Sequence, residues 1–286
     1  MAQRRKTSRR AVEANLARAR EERADYRAIE VAIRNGVAVI TLARPEVHNA
    51  FDETLIAELA SALLQIDADA SVRALVVAGA GKSFCAGADL HWMKRMAGFS
   101  HAENLADANA LAAMLSVLSR LSKPTIARVH GAAFGGGVGL AACCDVAIGA
   151  QDAVFALSEA RLGLIPATIS PYVIEAIGAR QARRYFLSGE RFSAAEAFRI
   201  GLLHDIVPAQ ELDPRVNAVL GELLWAGPRA QAECKALIRD VAHRPIVPEI
   251  IADTAQRIAA IRGSDEGKEG VAAFLERRRA RWVPQA

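Results

Sequence analysis

Residues 123–166 read KPTIARVHGAAFGGGVGLAACCDVAIGAQDAVFALSEARLGLIP, and the chain keeps its chemistry there. Thr125 to His130 is rich in β-branched residues and reads as a strand. The glycines Gly135, Gly136 and Gly137 follow, then a wholly apolar helix start from Val138 to Cys143 and a further strand. Beyond lie a single carboxylate in apolar surroundings, Glu159, and the turn Gly163-Leu164-Ile165-Pro166. Glycines that open a helix let a ligand reach bare backbone, where the first N–H groups are unpaired and the dipole end is positive. Such a site suits an anion, or an oxygen that becomes anionic during reaction.

Upstream of this stretch the pattern is α/β. AIEVAIR (28–34) and VAVITL (37–42) alternate with period two about Asn35-Gly36, the signal of a hairpin with a type I′ turn. Arg44-Pro45 ends the hairpin, and apolar spacing predicts a helix from about Asp52 to Ile66. RALVVAG (73–79) is continuously apolar, as expected of a strand in a sheet covered on both faces. A loop, KSFCAGADL (82–90), then a short helix through Trp92 and Met96 and a long one from about Ala102 to Leu121 lead into the opening stretch. After Pro171 helix follows helix, at 171–187, 193–200, 209–226, 228–241, 246–262 and 265–281, with one strand near Leu203 to Val207. The expected organisation is therefore a basic extension over 1–27, an α/β core over 28–190 and a helical region over 191–286.

Composition narrows the class. The chain has 286 residues, 52% hydrophobic and 24% charged, enough for one large core with a smaller appended piece. No apolar run approaches the ~18 residues of a membrane span. Cys85, Cys143, Cys144 and Cys234 show neither zinc nor Cys-x-x-Cys spacing, which points to buried reduced thiols and a cytoplasmic setting. Residues 1–28 lack the apolar stretch of a secretory signal. They carry nine basic residues against four acidic ones, a net of +5, while the whole chain is +4. The arm, helical from Ser8 to Arg27 on its charge spacing, reads as a solvated extension, a transit peptide or a contact for nucleic acid. Glu13, Glu21 and Glu22 count against targeting, because transit peptides are poor in acids.

Several motif readings compete for the glycines. A P-loop ending at Gly81-Lys82-Ser83 needs glycine at position 76, which is Val76. Gly137-Val138-Gly139-Leu140-Ala141-Ala142 fits a dinucleotide fingerprint, yet Gly131-Ala132-Ala133-Phe134 separates it from its strand. Ser158 lacks the Gly-x-Ser-x-Gly elbow of a hydrolase, and the histidines include no His-Glu-x-x-His, so no metal site is expected. There remains a pair of loops, Ser83 to Leu90 and Gly135 to Gly137, each ending a strand and opening a helix. Side by side, they would aim two N–H groups at a single oxygen.

F-C-A-G-A-D-L, G-A-A-F-G-G-G-V-G-L-A-A-C-C-D and F-A-L-S-E-A-R-L-G-L-I-P, in that order, closely resemble the crotonase superfamily of acyl-CoA enzymes. The resemblance runs from about residue 27 to 283. It includes Arg44-Pro45-x-x-x-Asn49-Ala50, Glu190 to Gly201, and the tail Glu266-Gly267-Lys268-Glu269-Gly270-x-x-Ala273-Phe274. It implies an α/β core of repeated ββα units, a C-terminal all-helical region used in trimerisation, and a homotrimer or a hexamer of two trimers. By position it assigns the oxyanion hole to the N–H groups of Ala88 and Gly136. Substrate contacts go to Val47, Ala86, Gly87, Asp89, Leu90, Gly135 and Pro166, with Lys268 and Phe274 added from the tail. Coenzyme A enters only as part of the substrate, and no metal or other cofactor is implied.

Hydratases of this superfamily generally use two glutamates twenty residues apart. Glu159 matches the second; Gly139 stands at the first and cannot transfer a proton. The motif A-D-L-x-W-M-K-R-M, with L-S-E-A-R-L-G-L-I-P-A-T-I-S-P-Y-V, resembles the methylglutaconyl-CoA and isoprenoid-glutaconyl-CoA hydratases of leucine and terpene breakdown. A small residue commonly occupies the Gly139 position in those enzymes. The expectation is syn hydration of a branched enoyl-CoA with Glu159 as catalytic acid-base group. The alternatives are an enoyl-CoA isomerase and, of another class, nucleic-acid binding through the arm. Lys94, Arg95 and Arg161 are the cations expected to meet a distal substrate carboxylate or a CoA phosphate.

Overall fold

The computed structural model describes residues 26–284. The arm, apart from its last residues, and the readings attached to it lie outside the described residues. The strands are β1 (Ile29–Arg34), β2 (Val37–Leu42), β3 (Ala74–Gly79), β4 (Thr125–Val129), β5 (Ala132–Phe134), β6 (Val146–Ala150), β7 (Val154–Ala156), β8 (Arg191–Ser193) and β9 (Asp205–Val207). The α-helices are α1 (Glu53–Ala68), α2 (Leu90–Met96), α3 (His101–Arg120), α4 (Gly136–Cys143), α5 (Ser170–Ser188) and α6 (Ala194–Arg199). Four more form the tail: α7 (Leu212–Trp225), α8 (Pro228–Val241), α9 (Pro248–Gly263) and α10 (Asp265–Leu275).

The first hairpin forms as its alternation predicts. Asn35 and Gly36 turn at φ 49° and 78°, and positive φ at both positions is the type I′ geometry that Asn-Gly favours. Parallel strands then extend it into a six-stranded sheet of order β1-β2-β3-β4-β6-β9. The apolar run of β3 is explained by two cores. Leu75 and Val77 pack with Leu55, Leu59 and Leu63 of α1 and Leu115 and Leu118 of α3, whereas Val76 packs with Ile126, Ile148 and Leu212, Val216 and Leu220 of α7. Each such side chain contributes roughly 1.5–3 kcal/mol on burial, so α7 fastens the tail to the sheet.

A second sheet, of order β5-β7-β8, escapes the periodicity analysis. Ala132–Phe134 reads in the sequence as an interruption before the glycines, yet it is a strand paired in parallel with β7. Strands of three residues are too short for alternation to register. β9 is the strand expected near Leu203 to Val207, whereas β8, at the head of the helical region over 191–286, departs from the all-helical expectation, and uninterrupted helix starts at α7. The last helix is also shorter than 265–281. It stops at Leu275, and Arg277 turns the chain at φ 56°. The residues after it fold back: Arg278 and Arg281 bind buried Glu269, and the Trp282 indole N–H donates to the Trp225 carbonyl at 3.0 Å. Among the described residues no helix is long and apolar enough to cross a membrane.

Candidate active site

The first loop is built by hydrogen bonds from the segment after β2. Asn49 is fully buried at φ 57°; its amide nitrogen donates to the Ala80 and Ser83 carbonyls, both at 2.8 Å, and its oxygen accepts the Arg44 N–H at 3.0 Å. The Ala86 N–H donates to the His48 carbonyl at 3.0 Å. Phe51 then forms a parallel bridge with Ala88: its N–H donates to the Gly87 carbonyl at 2.7 Å, and its carbonyl accepts from Asp89 at 2.9 Å. In such a bridge the Ala88 N–H points away from Phe51. Ala88 is exposed, and no hydrogen bond among the described residues takes its N–H.

The second loop is fastened to the first through β5. Cys85 bridges Ala133, with the Phe134 N–H donating to the Cys85 carbonyl at 2.9 Å. On the other side the Gly135 N–H donates to Ala156 of β7 at 2.9 Å. Gly136 opens α4, so its N–H belongs to the unpaired first turn. The loops touch closely, since a Cβ on Gly87 would sit 3.1 Å from the Phe134 carbonyl oxygen. Two N–H groups with no partner among the described residues thus stand on adjoining backbones, an arrangement that can hold one developing negative oxygen.

Glu159 faces this place from a short 3₁₀ turn, Glu159–Leu162, that follows β7. Gly135 has φ 47°, and a Cβ there would lie 2.9 Å from Glu159 Oε1, so the glycine leaves room for the carboxylate. Glu159 Oε2 is buried without a hydrogen-bond partner among the described residues. Burial raises the carboxyl above its ordinary pKa, against the lowering effect of its own backbone N–H. The pairing with Arg161 that would make it a structural acid does not form, because Arg161 Nε donates to the Ser188 carbonyl at 3.1 Å. The position twenty residues earlier is closed. Ile169, buried at the head of α5, packs on Gly139, where a Cβ would lie 2.3 Å from Ile169 Cγ2.

The other expected site residues divide. Val47, Ala86, Gly87, Leu90 and Gly135 lie on or beside the two loops, with Leu90 exposed at the start of α2. Pro166 is buried in the turn after Glu159. The Asp89 side chain is bound within the chain. Its Oδ1 caps α2 by accepting from His91 and Trp92 at 2.8 and 3.2 Å, and its Oδ2 meets Arg44 at 3.0 Å. Although burial opposes it, these partners hold Asp89 below its ordinary pKa. Lys268 and Phe274 stand on α10, whose main packing partners are α8 and α9, so within one chain the fold does not gather them with Glu159. Burial pushes the Cys85 and Cys144 thiols up to about 12, which leaves no thiolate for chemistry. Among the described residues no cluster of His, Cys, Asp and Glu could hold a metal.

Comparison with known proteins identifies this architecture. The enoyl-CoA hydratase/isomerase family profile matches residues 32–285. The chain belongs to the enoyl-CoA hydratase/isomerase family. Within that family it is 31% identical over 249 residues to a crotonyl-CoA hydratase of Syntrophomonas wolfei, covering 86% of this chain and 94% of that one. An enoyl-CoA hydratase structure from Shewanella pealeana superposes with TM-score 0.88 at 43% identity, covering 90% of this chain and 97% of the other. Pseudomonas aeruginosa AtuE superposes with TM-score 0.87 at 36% identity over 90% of this chain and 100% of the other.

Sequence reasoning passed over Phe51 and Ile169. Phe51 lies between the loops, its ring so close to Gly136 that a Cβ there would meet it at 2.7 Å. Its position two residues after the Asn49 of a recurring motif was a usable signal; nothing in the sequence marks Ile169.

Proposed function

We propose that this chain adds water across the α,β double bond of an enoyl-CoA thioester. The observation that carries the reading is Glu159, a half-buried carboxylate whose Oε2 is buried and unpartnered among the described residues, set against the backbone of Gly135 beside the two unpaired N–H groups. The names of its relatives, hydratases of crotonyl- and enoyl-CoA, support the reaction class. In this mechanism Glu159 takes a proton from water as the oxygen attacks Cβ. The displaced π electrons collect on the thioester oxygen, held by the Ala88 and Gly136 N–H groups, where losing one such donor costs about 3–4 kcal/mol of barrier. Protonated Glu159 then gives its proton to Cα on the same face, and the net change is one water added. Because Ile169 fills the space beside Gly139, one carboxylate makes both transfers. A pKa raised by burial above the ordinary carboxylate value suits a group that must act as base and then as acid. The scheme needs no cofactor beyond the substrate's own CoA.

The acyl group we propose is branched and carries a distal carboxylate, as in a methylglutaconyl thioester; this rests on the motif likeness. Of the three cations expected to meet that charge, Arg95 is ion-paired with Glu53 at 2.6 Å and Arg161 is bound to Ser188. Exposed Lys94 has no described partner and is the cation we assign to the distal carboxylate. We further read the chain as a homotrimer or a pair of trimers. Side chains such as Phe274 and Leu275 of the tail, 82% and 73% exposed in the single chain, support an assembly.

A panel of enoyl-CoA thioesters, followed by loss of conjugated absorbance and by product mass, tests the reading. A product heavier by one water supports hydration. The closed Gly139 position favours one other outcome, a moved double bond at unchanged mass, which identifies an isomerase using Glu159 as its proton shuttle. No turnover with any thioester removes the proposal.

A further inference from the structure

We infer that Arg44 is a positioning residue for the Ala88 N–H donor; the inference rests on the oxyanion reading above and extends it to a group that touches no substrate. Arg44 follows β2 and its side chain is largely buried, 17% exposed. Nη1 donates to the Ala50 carbonyl at 2.6 Å, and Nη2 reaches Asp52 Oδ2 at 2.9 Å and Asp89 Oδ2 at 3.0 Å. These partners are not scattered. Ala50 and Asp52 flank Phe51, and Asp89 follows Ala88, so one guanidinium grips both sides of the Phe51–Ala88 bridge. The gripped segment also carries the spacing between the two donors. Phe51 holds the Ala88 peptide through its backbone and presses its ring on Gly136. A shift of Phe51 therefore changes where one donor stands relative to the other.

Only arginine fits the task. Three acceptors in different directions need a planar fork of several N–H groups, and a lysine ammonium at the end of a flexible stem cannot satisfy all three in one orientation. Removing the guanidinium also leaves Asp89, 5% exposed, without its cation beside the donor it should steady. A misplacement of the order of 1 Å in a catalytic arrangement costs about 100-fold. Partial loosening of one donor should then cost roughly 10- to 100-fold in kcat, while CoA-ester affinity changes little.

The test compares Arg44→Met, Arg44→Lys and Asp89→Asn with the wild type. Asp89→Asn keeps an oxygen to cap α2 and turns an amide toward Arg44, so it cuts this tie alone and serves if Arg44→Met does not fold. Two readouts are taken on folded protein: kcat and KM for the best enoyl-CoA of the panel, and the infrared carbonyl stretch of bound saturated butyryl-CoA. The stretch shifts down in proportion to hydrogen bonding at the thioester oxygen. We expect Arg44→Met and Asp89→Asn to lose at least 10-fold in kcat, with KM within about threefold and the downshift reduced. Arg44→Lys should recover part of both. A full downshift and near-normal kcat in folded Arg44→Met or Asp89→Asn, whatever the loss in thermal stability, would reduce Arg44 to a structural ion pair and overturn the inference. A wild-type enzyme that turns over thioesters without any downshift would overturn the oxyanion reading and this inference together.

Discussion

Replacing Glu159 by glutamine should move activity and stability in opposite directions. Turnover falls because the amide can neither take a proton from water nor return one; loss of a single acid-base group costs at least ~100-fold. KM should hold, since the paired donors are main-chain groups. Stability should rise, and its sign follows from titration. Burial raises the Glu159 pKa in the folded chain above its unfolded value. Between those two values the folded state holds the extra proton, so stability drops as pH rises through that window and stays lower above it. Glutamine does not titrate and escapes this penalty at neutral pH. A buried acceptor without a partner, as Oε2 is, costs about 1–3 kcal/mol. The amide leaves a polar atom in the same place, so about 1 kcal/mol of this should return, or roughly 2–4 °C in Tm. Steady-state hydration kinetics and thermal melts at pH 7 and near pH 4 measure both effects, and the stability gain should vanish at the lower pH. Near-normal turnover, or a variant less stable at neutral pH, would show that the carboxylate serves the fold and refute the reasoning.

Gly135→Ala forces a side chain into a left-handed position and sets its Cβ against Glu159 Oε1. We expect about 1–3 kcal/mol of strain and a kcat loss near 100-fold, with CoA-ester binding retained in a direct titration. Gly139→Ala overpacks against Ile169 Cγ2 and should cost about 1–3 kcal/mol, part of it recovered in a double-mutant melt when Ile169→Ala removes that methyl. Full additivity of those two changes would mean that they do not share a wall. Below about pH 4 the tail should loosen first. Ion pairing with Arg278, against the opposing effect of burial, lowers Glu269 to about 2, so its stabilisation is present above the unfolded value and is lost as pH falls toward 2. Proteolysis at Arg277 to Arg281 should report the change.

The two donor loops were legible because each carries glycine and helix-start chemistry that few other structures need. The hairpin was legible in Asn35-Gly36, and the two-faced sheet in the unbroken apolar run of β3. What stayed hidden depended on distant partners. Ala132–Phe134 is a strand only because β7 and the bridge to Cys85 lie alongside it. That the Asp89 oxygens cap α2 and meet Arg44 depends on a residue forty-five positions away. That Gly139 is closed by Ile169 depends on how α5 settles on α4, which no local pattern encodes.

The donors at Ala88 and Gly136 are peptide nitrogens, and this bears on how such a site can change over generations. A side-chain donor disappears with one codon, whereas a peptide N–H survives every substitution except proline. The enolate holder we propose is thus sheltered from drift, whereas a carboxylate beside it is not. In this chain the carboxylate is Glu159, and Ile169 closes the space beside Gly139. New chemistry on this scaffold is accordingly a matter of relocating a single acid, and engineers should search the walls before touching the loops.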